Sequence, residues 1–320
     1  MGKVEAVCVS ARKAQKKKPL PSALFVADSG ISGDAHAGAW HRQVSLLAAE
    51  HIERMREAGL PNLAPGDFAE NVVTRGVDLS ALGLGSRLRL GAEVELEVTQ
   101  RGKTCHRRCA IYYQAGDCIM PTRGVFARVS QGGTVVPGDS LEVLEEISCQ
   151  RLQAVVLTIS DRCSRGETAD TAGPAVGRLL ESSLGAHVYA IRILHDDRDQ
   201  IADRLKHYCD GHSIDLVVTA GGTGFSPRDV TPEAVASVIH RPAPGLDEAM
   251  RRASAEKTPY AMLSRSVSGI RNDTLIVSLP GSERGATESL EAVLPALGHG
   301  LAKLRGDPSD CAPPRGGFGA

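Results

Sequence analysis

The chain changes its hydrophobic rhythm near residue 150. In RLRLGAEVELEVTQ (87–100), Val94, Leu96 and Val98 alternate with Glu93, Glu95 and Glu97, the two-residue period of a strand with one face buried. Pro65-Gly66-Asp67 and Pro137-Gly138-Asp139 punctuate the same half as turns. This half predicts a mostly β domain. Beyond the change come continuous apolar runs: QAVVLTIS (153–160), HVYAIRIL (187–194), IDLVVTA (214–220) and TLIVSLP (274–280). Such runs suit parallel strands covered on both faces. Helical spacing follows them, as at Ile201, Leu205 and Tyr208 in 197–209. Alternating strands and helices imply right-handed crossovers. The second half therefore predicts an α/β doubly wound, mostly parallel sheet with helices on both faces. EEISCQRLQ (145–153) marks the junction between domains expected at 1–149 and 150–306, and the Pro- and Gly-rich 307–320 reads as a disordered tail.

A length of 320 residues agrees with two domains. With 42% hydrophobic and 23% charged residues and a formal charge of −1, no global field recruits nucleic acid or anionic lipid. No apolar run reaches the roughly 18 residues of a membrane span, and the first twenty residues lack a signal-peptide apolar region. A cytoplasmic location is expected. Eight cysteines, scattered through a chain without a secretion signal, read as reduced thiols. CHRRCAIYYQAGDC groups three of them without a CxxC pair. RKAQKKK (12–18) reads as an exposed basic loop.

TAGGTGFSPRDVTPEA (219–234) joins a buried-looking strand to a helix. Gly221, Gly222 and Gly224 free the backbone to turn its amides inward, with Thr223 among them, and clustered amides form an anion nest. Thr231 reads as the helix cap, with Pro232 in the first turn and Glu233 favouring the dipole. The loop is neither GxGxxG nor a P-loop, which needs a lysine; a tight turn holding no ligand is the alternative. Arg228 suits phosphate and Asp229 suits Mg²⁺ bound to phosphate. Other strand ends supply Ser160 and Asp161, then Asp196, then Ser264, Arg265 and Ser266, then Gly281 and Ser282. Taken alone, Asp196 reads as a plain helix cap.

In their order and spacing LTISDR, TAGGTGFSPRDVTPEA, PYAMLSRSVSGIR and IVSLPGS closely resemble the molybdopterin-binding MogA/MoaB family, including the G domains of gephyrin. The resemblance covers about 153–306. It implies adenylylation of molybdopterin with ATP and Mg²⁺, releasing pyrophosphate. Asp229 and Asp196 are then assigned to Mg²⁺ and nucleotide positioning, the glycine loop and Ser264 to pterin and phosphate, and Arg228 to phosphate charge. It also implies a homotrimer, and other molybdenum cofactor biosynthesis proteins as partners. One departure is Ala172 in DTAGP (170–174), where the family usually has serine.

GISGDAHAGAWHRQVSLLAAEHI, PGDFAENVVTRGVDL and VTQRGKTCHRRCAIY resemble the MOSC family over about 1–145. That resemblance implies a β barrel in which one cysteine carries sulfur or ligates molybdenum. Cys105 occupies the matching position, and Lys103, His106, Arg107 and Arg108 around it favour a thiolate. Asp34, His36, His41 and Arg42 are expected to line the cofactor cleft. The leading expectation is an enzyme of molybdenum cofactor biosynthesis. The alternatives are a non-catalytic molybdopterin or molybdenum cofactor carrier, and a reductase subunit acting on N-hydroxylated compounds.

Overall fold

The structure is a computed structural model and describes residues 2–102 and 118–309. Cys105, Cys109 and Cys311, with Lys103, His106, Arg107 and Arg108, lie outside the described residues. The chain divides into two compact units, Met1–Arg151 with Gly211–Ser213, and Leu152–Asp210 with Ile214 onward.

The first unit is a barrel. Its strands are β1 (Gly2–Val9), β2 (Val44–Ala48), β3 (Val72–Arg75), β4 (Arg87–Leu90), β5 (Val94–Arg101), β6 (Val125–Gln131) and β7 (Ser140–Glu145). They pair in the order β7-β4-β5-β6-β2-β3-β1, and β1 closes the ring on β7. Closure leaves none of the seven an open edge. The alternation in β5 explains why the barrel forms. Val94, Leu96 and Val98 are wholly buried, each removal of such a side chain from water contributing about 2 kcal/mol. The intervening glutamates face outward and are met across the sheet: Glu95 by Arg87 and Arg89 at 2.5 and 2.9 Å, Glu97 by Arg128 at 2.8 Å.

The second unit holds a six-stranded mixed sheet. β8 (Gln153–Ile159), β9 (His187–Leu194), β10 (Leu216–Ala220), β11 (Arg241–Pro242), β12 (Gly269–Arg271) and β13 (Thr274–Leu279) run in the order β9-β8-β10-β13-β12-β11. The first four are parallel, and β12 and β11 are added antiparallel at one edge. Ala154 and Val156 pack with Val176 and Leu180 of Ala172–Leu184 and with Leu290, Val293 and Leu297 of Glu283–Leu304. Val155 and Leu157, on the opposite face of β8, are also inaccessible. Among the described residues no helix is long and apolar enough to cross a membrane.

Parallel strands point their carboxyl ends the same way, and loops gather there. Those after β8, β9, β10 and β13 begin at Ser160, His195, Gly221 and Pro280. They carry most of the residues expected to form a site in this unit.

Candidate functional site

Gly221 leaves β10 with φ +117°, and a methyl group there would lie 2.2 Å from the Ile159 carbonyl oxygen. Gly222 follows at φ +63°, where a methyl group would lie 2.4 Å from Thr231 Oγ1 and 3.1 Å from Asp196 Oδ1. Only glycine combines this left-handed backbone with so close an approach. Among the described residues, no protein acceptor takes the amides of Gly222, Thr223 or Gly224. The chain then turns at Ser226–Asp229, where Asp229 Oδ2 accepts from the Ser226 amide at 2.8 Å, and enters the helix Thr231–Val238.

The expected cap at Thr231 is corrected by the structure. The helix already begins at Thr231, and Val230 precedes it without a side-chain cap. Thr231 is fully buried, and among the described residues its hydroxyl has no hydrogen-bond partner. The hydroxyl lies against Gly222, and Thr231 N donates to the Gly222 carbonyl at 3.1 Å.

Three carboxylates meet beside this loop. Asp161 and Asp196 grip each other's backbone: Asp196 Oδ2 accepts from the Asp161 amide at 2.9 Å, and Asp161 Oδ1 from the Asp196 amide at 3.1 Å. Asp196 is thus tied to a neighbouring loop, as well as standing near a helix start. Burial raises its carboxyl above the ordinary range, and the negative charges of Asp161 and Asp229 raise it further. Asp161 moves the opposite way, held down chiefly by Arg228, whose Nη2 and Nε donate to Asp161 Oδ2 at 2.6 and 3.1 Å. The guanidinium expected for phosphate therefore rests on a carboxylate, with its side chain 64% exposed. His195, which carries no sequence signal of its own, completes the group at 3.3 Å from Asp161 Oδ1 and 2.9 Å from Ser164 Oγ.

The same loop also borders a cleft of about 480 Å³. Thr223, Ser264, Ser266, Ser278 and Ser289 give it hydroxyls, Pro280 and Gly281 form part of its wall, and the helix Glu283–Leu304 begins at it. Ser264 and Ser266 are joined at 3.2 Å between hydroxyls. Two expected ligand serines already have local duties. Ser282 caps the helix at 283, accepting from the Gly285 amide at 3.1 Å, and Ser160 accepts from the Cys163 amide at 3.2 Å. Arg265 turns toward the loop itself, donating to the carbonyls of Gly224 and Asp229 and to Glu233.

The first unit contains a different cluster. The basic run 12–18 is exposed as expected except at Lys17, a correction: Lys17 is 3% exposed and its ammonium donates to Asp34 Oδ2 at 2.5 Å. A charge run hides such a residue because its neighbours are solvated. Burial lowers the Lys17 pKa, while Asp34 is kept well below the carboxylate range: burial pushes it up, but hydrogen bonds from His36 and Lys17 outweigh that. Asp34 also accepts from the amides of Ser10 and His36 at 3.0 Å each. Its side chain is fully buried, so it anchors the loop and does not line a cleft. His36 and Arg42 do come together, around the partly exposed Trp40. His36 stacks on that ring at 6.4 Å, and the Arg42 guanidinium lies 5.7 Å from it. His41 meets Gln100 Oε1 at 3.1 Å.

Comparisons with known proteins divide at the same place. A family model described as a probable molybdopterin binding domain matches residues 155–299, and one for the MOSC domain matches 33–142. The molybdopterin adenylyltransferase of Helicobacter pylori is 44% identical over 149 residues, covering 46% of this chain and 85% of that protein. That of Escherichia coli is 40% identical over 149 residues, 46% of this chain and 76% of that protein. The crystal structure of the molybdopterin biosynthesis enzyme MoaB from Thermus thermophilus matches with TM-score 0.47 and 44% identity, over 50% of this chain and 99% of that one. The C-terminal half thus belongs to the molybdopterin-binding family that includes the molybdopterin adenylyltransferases, and this chain carries a MOSC domain ahead of it.

Proposed function

We propose that the chain acts in molybdenum cofactor biosynthesis and that its second unit adenylylates molybdopterin with ATP. The observation that carries this reading is that one glycine loop serves two environments: a hydroxyl-lined cleft, and a carboxylate group with an arginine. An adenylyl transfer needs both, one for the acceptor and one for the charged leaving group. A phosphate oxygen of molybdopterin bonds to the α-phosphorus, the bond to the bridging β-oxygen breaks, and pyrophosphate leaves with that electron pair. No covalent enzyme intermediate is required.

The residues fit a hard, oxygen-seeking cation. Asp196 has a pKa raised by burial and by the carboxylates that crowd it, and the orphaned Thr231 hydroxyl and Asp196 Oδ1 both abut Gly222. Asp196 and Asp229 would hold Mg²⁺, which when bound neutralises developing charge on the pyrophosphate. The free loop amides orient phosphate oxygens. Arg228 leaves Asp161 for phosphate, exchanging one charge-assisted pair for another. Ser264, Ser266 and Thr223 offer hydroxyls to the acceptor, and Gly281 permits close approach.

Incubation with molybdopterin, ATP and Mg²⁺ should release pyrophosphate and yield an adenylylated pterin; binding without release identifies a carrier. We further propose that the second unit forms a homotrimer, to be read by light scattering of the full chain. For the MOSC unit we propose handling of sulfur or bound cofactor through Cys105, with His36 and Arg42 at the cofactor. Burial pushes the Cys8 and Cys209 thiols up to about 12. Alkylation at neutral pH should therefore modify Cys105 well before either, and Cys105→Ser should abolish sulfur transfer.

A further inference from the structure

Arg265 matches a family block that implies contact with the ligand, but its donors point elsewhere. Its backbone amide donates to the Thr223 carbonyl at 2.9 Å and its Nε to the Gly224 carbonyl at 2.7 Å. Nη2 donates to the Asp229 carbonyl, and Nη1 to Glu233 Oε1. One residue thus joins both ends of the 223–229 loop to the helix that follows it. The Asp229 carboxylate has little independent support: its Oδ2 accepts from the Ser226 amide at 2.8 Å and sits where a methyl group on Gly224 would meet it at 2.9 Å. The loop is otherwise exposed from Phe225 to Arg228.

We infer that Arg265 is a positioning residue, a brace that fixes the free loop amides and the Asp229 carboxylate in one geometry. The inference rests on the adenylylation reading above. A guanidinium is suited to this work because its rigid fork serves three acceptors in fixed directions, and lysine offers only a point charge on a flexible stem. A displacement of about 1 Å at a reacting group costs on the order of 100-fold in rate. The effect should fall on turnover and leave acceptor affinity nearly unmoved, since the Arg265 side chain donates to Gly224, Asp229 and Glu233 and not to the Thr223, Ser264 or Ser266 hydroxyls assigned to the acceptor.

The test compares Arg265→Gln, Arg265→Lys and Glu233→Gln in the full chain. Arg265→Gln should lower kcat about 100-fold and Arg265→Lys about 10-fold, with KM for molybdopterin within about threefold of wild type. Glu233→Gln leaves the carbonyl contacts in place and should cost less than about threefold. Independently of activity, hydrogen exchange of the amides within 221–234 should quicken about 10-fold or more in Arg265→Gln and remain unchanged in 153–159. Wild-type kcat with unchanged exchange in Arg265→Gln overturns the inference. So does a raised KM with kcat and exchange unaltered, the mark of direct substrate contact. Should Arg265→Gln fail to fold, Arg265→Lys decides by the same two readouts. A wild-type chain that releases no pyrophosphate sinks the adenylylation reading, and exchange alone then decides whether the brace exists.

Discussion

The two units hold their charges in opposite ways. In the first, Lys17 and Asp34 are nearly inaccessible, and both Asp34 oxygens are taken by the Lys17 ammonium, the His36 ring and two amides. In the second, Asp161, Asp196 and Asp229 crowd about a loop in which the amides of Gly222, Thr223 and Gly224 have no protein acceptor among the described residues, and Arg228 pairs with one of the three acids. A closed cluster holds a fold together, and breaking it costs more than making it gained. An open cluster with surplus charge and unused donors is poised for a ligand. The difference separates structural ionisable groups from candidate catalytic ones where residue types alone do not.

The comparison predicts that charge removal has opposite consequences in the two places. Asp229→Asn should lower Mg²⁺-dependent turnover by about 100-fold or more, as loss of a transition-state charge contact does, and should leave the melting temperature nearly unchanged. Kinetic assays with thermal melts check both; wild-type turnover refutes the metal assignment. Lys17→Met strips a buried carboxylate of its counter-ion and should destabilise the first unit by about 3 kcal/mol. Trp40 is the chain's lone tryptophan and belongs to the first unit, so its fluorescence follows that unfolding. Turnover per folded molecule should be unchanged.

Glu70 sharpens the comparison from within the first unit. It is wholly buried, accepts from the amides of Gly66 and Phe68, and is pushed up to about 7 by burial. A carboxyl whose folded pKa lies above its unfolded value stabilises the fold while neutral. That contribution is complete below about pH 4.5 and is lost as pH rises through about 7. Stability of the first unit should therefore fall between about pH 4.5 and 7, and Glu70→Gln should flatten the fall. His51, whose pKa burial lowers, acts in the opposite sense, so the difference between wild type and variant is the quantity to measure. An identical pH slope in both proteins removes Glu70 from the account.

Much of the second unit is legible in the sequence because strands buried on both faces read as unbroken apolar runs. The run at 153–160 ends one residue past Ile159, in a strand buried throughout; HVYAIRIL at 187–194 also coincides with a strand, but one at the sheet edge with Arg192 and Ile193 exposed, which corrects the expectation of burial on both faces there. The glycine loop is equally visible, since positions such as Gly221 and Gly222 admit no other residue. What stays hidden depends on contacts distant in sequence. Nothing near Lys17 shows that Asp34 lies beneath it, and its neighbours in RKAQKKK are all exposed. Thr231 misleads because a threonine before proline has the local signature of a cap, while its position is fixed by Gly222 across the loop. The motif assigns Arg265 to the ligand, and only the folded chain shows its fork closed on carbonyls 36 and 41 residues away in sequence.

The central claim is that the open cluster performs adenylyl transfer. ATP labelled at the α-phosphorus, supplied with molybdopterin and Mg²⁺ to the full chain and to Asp229→Asn, measures it most directly. The account predicts label in the pterin product, one pyrophosphate released per label, and loss of nearly all of it in the variant; molybdopterin that binds tightly and stays unlabelled with the wild-type chain would contradict it.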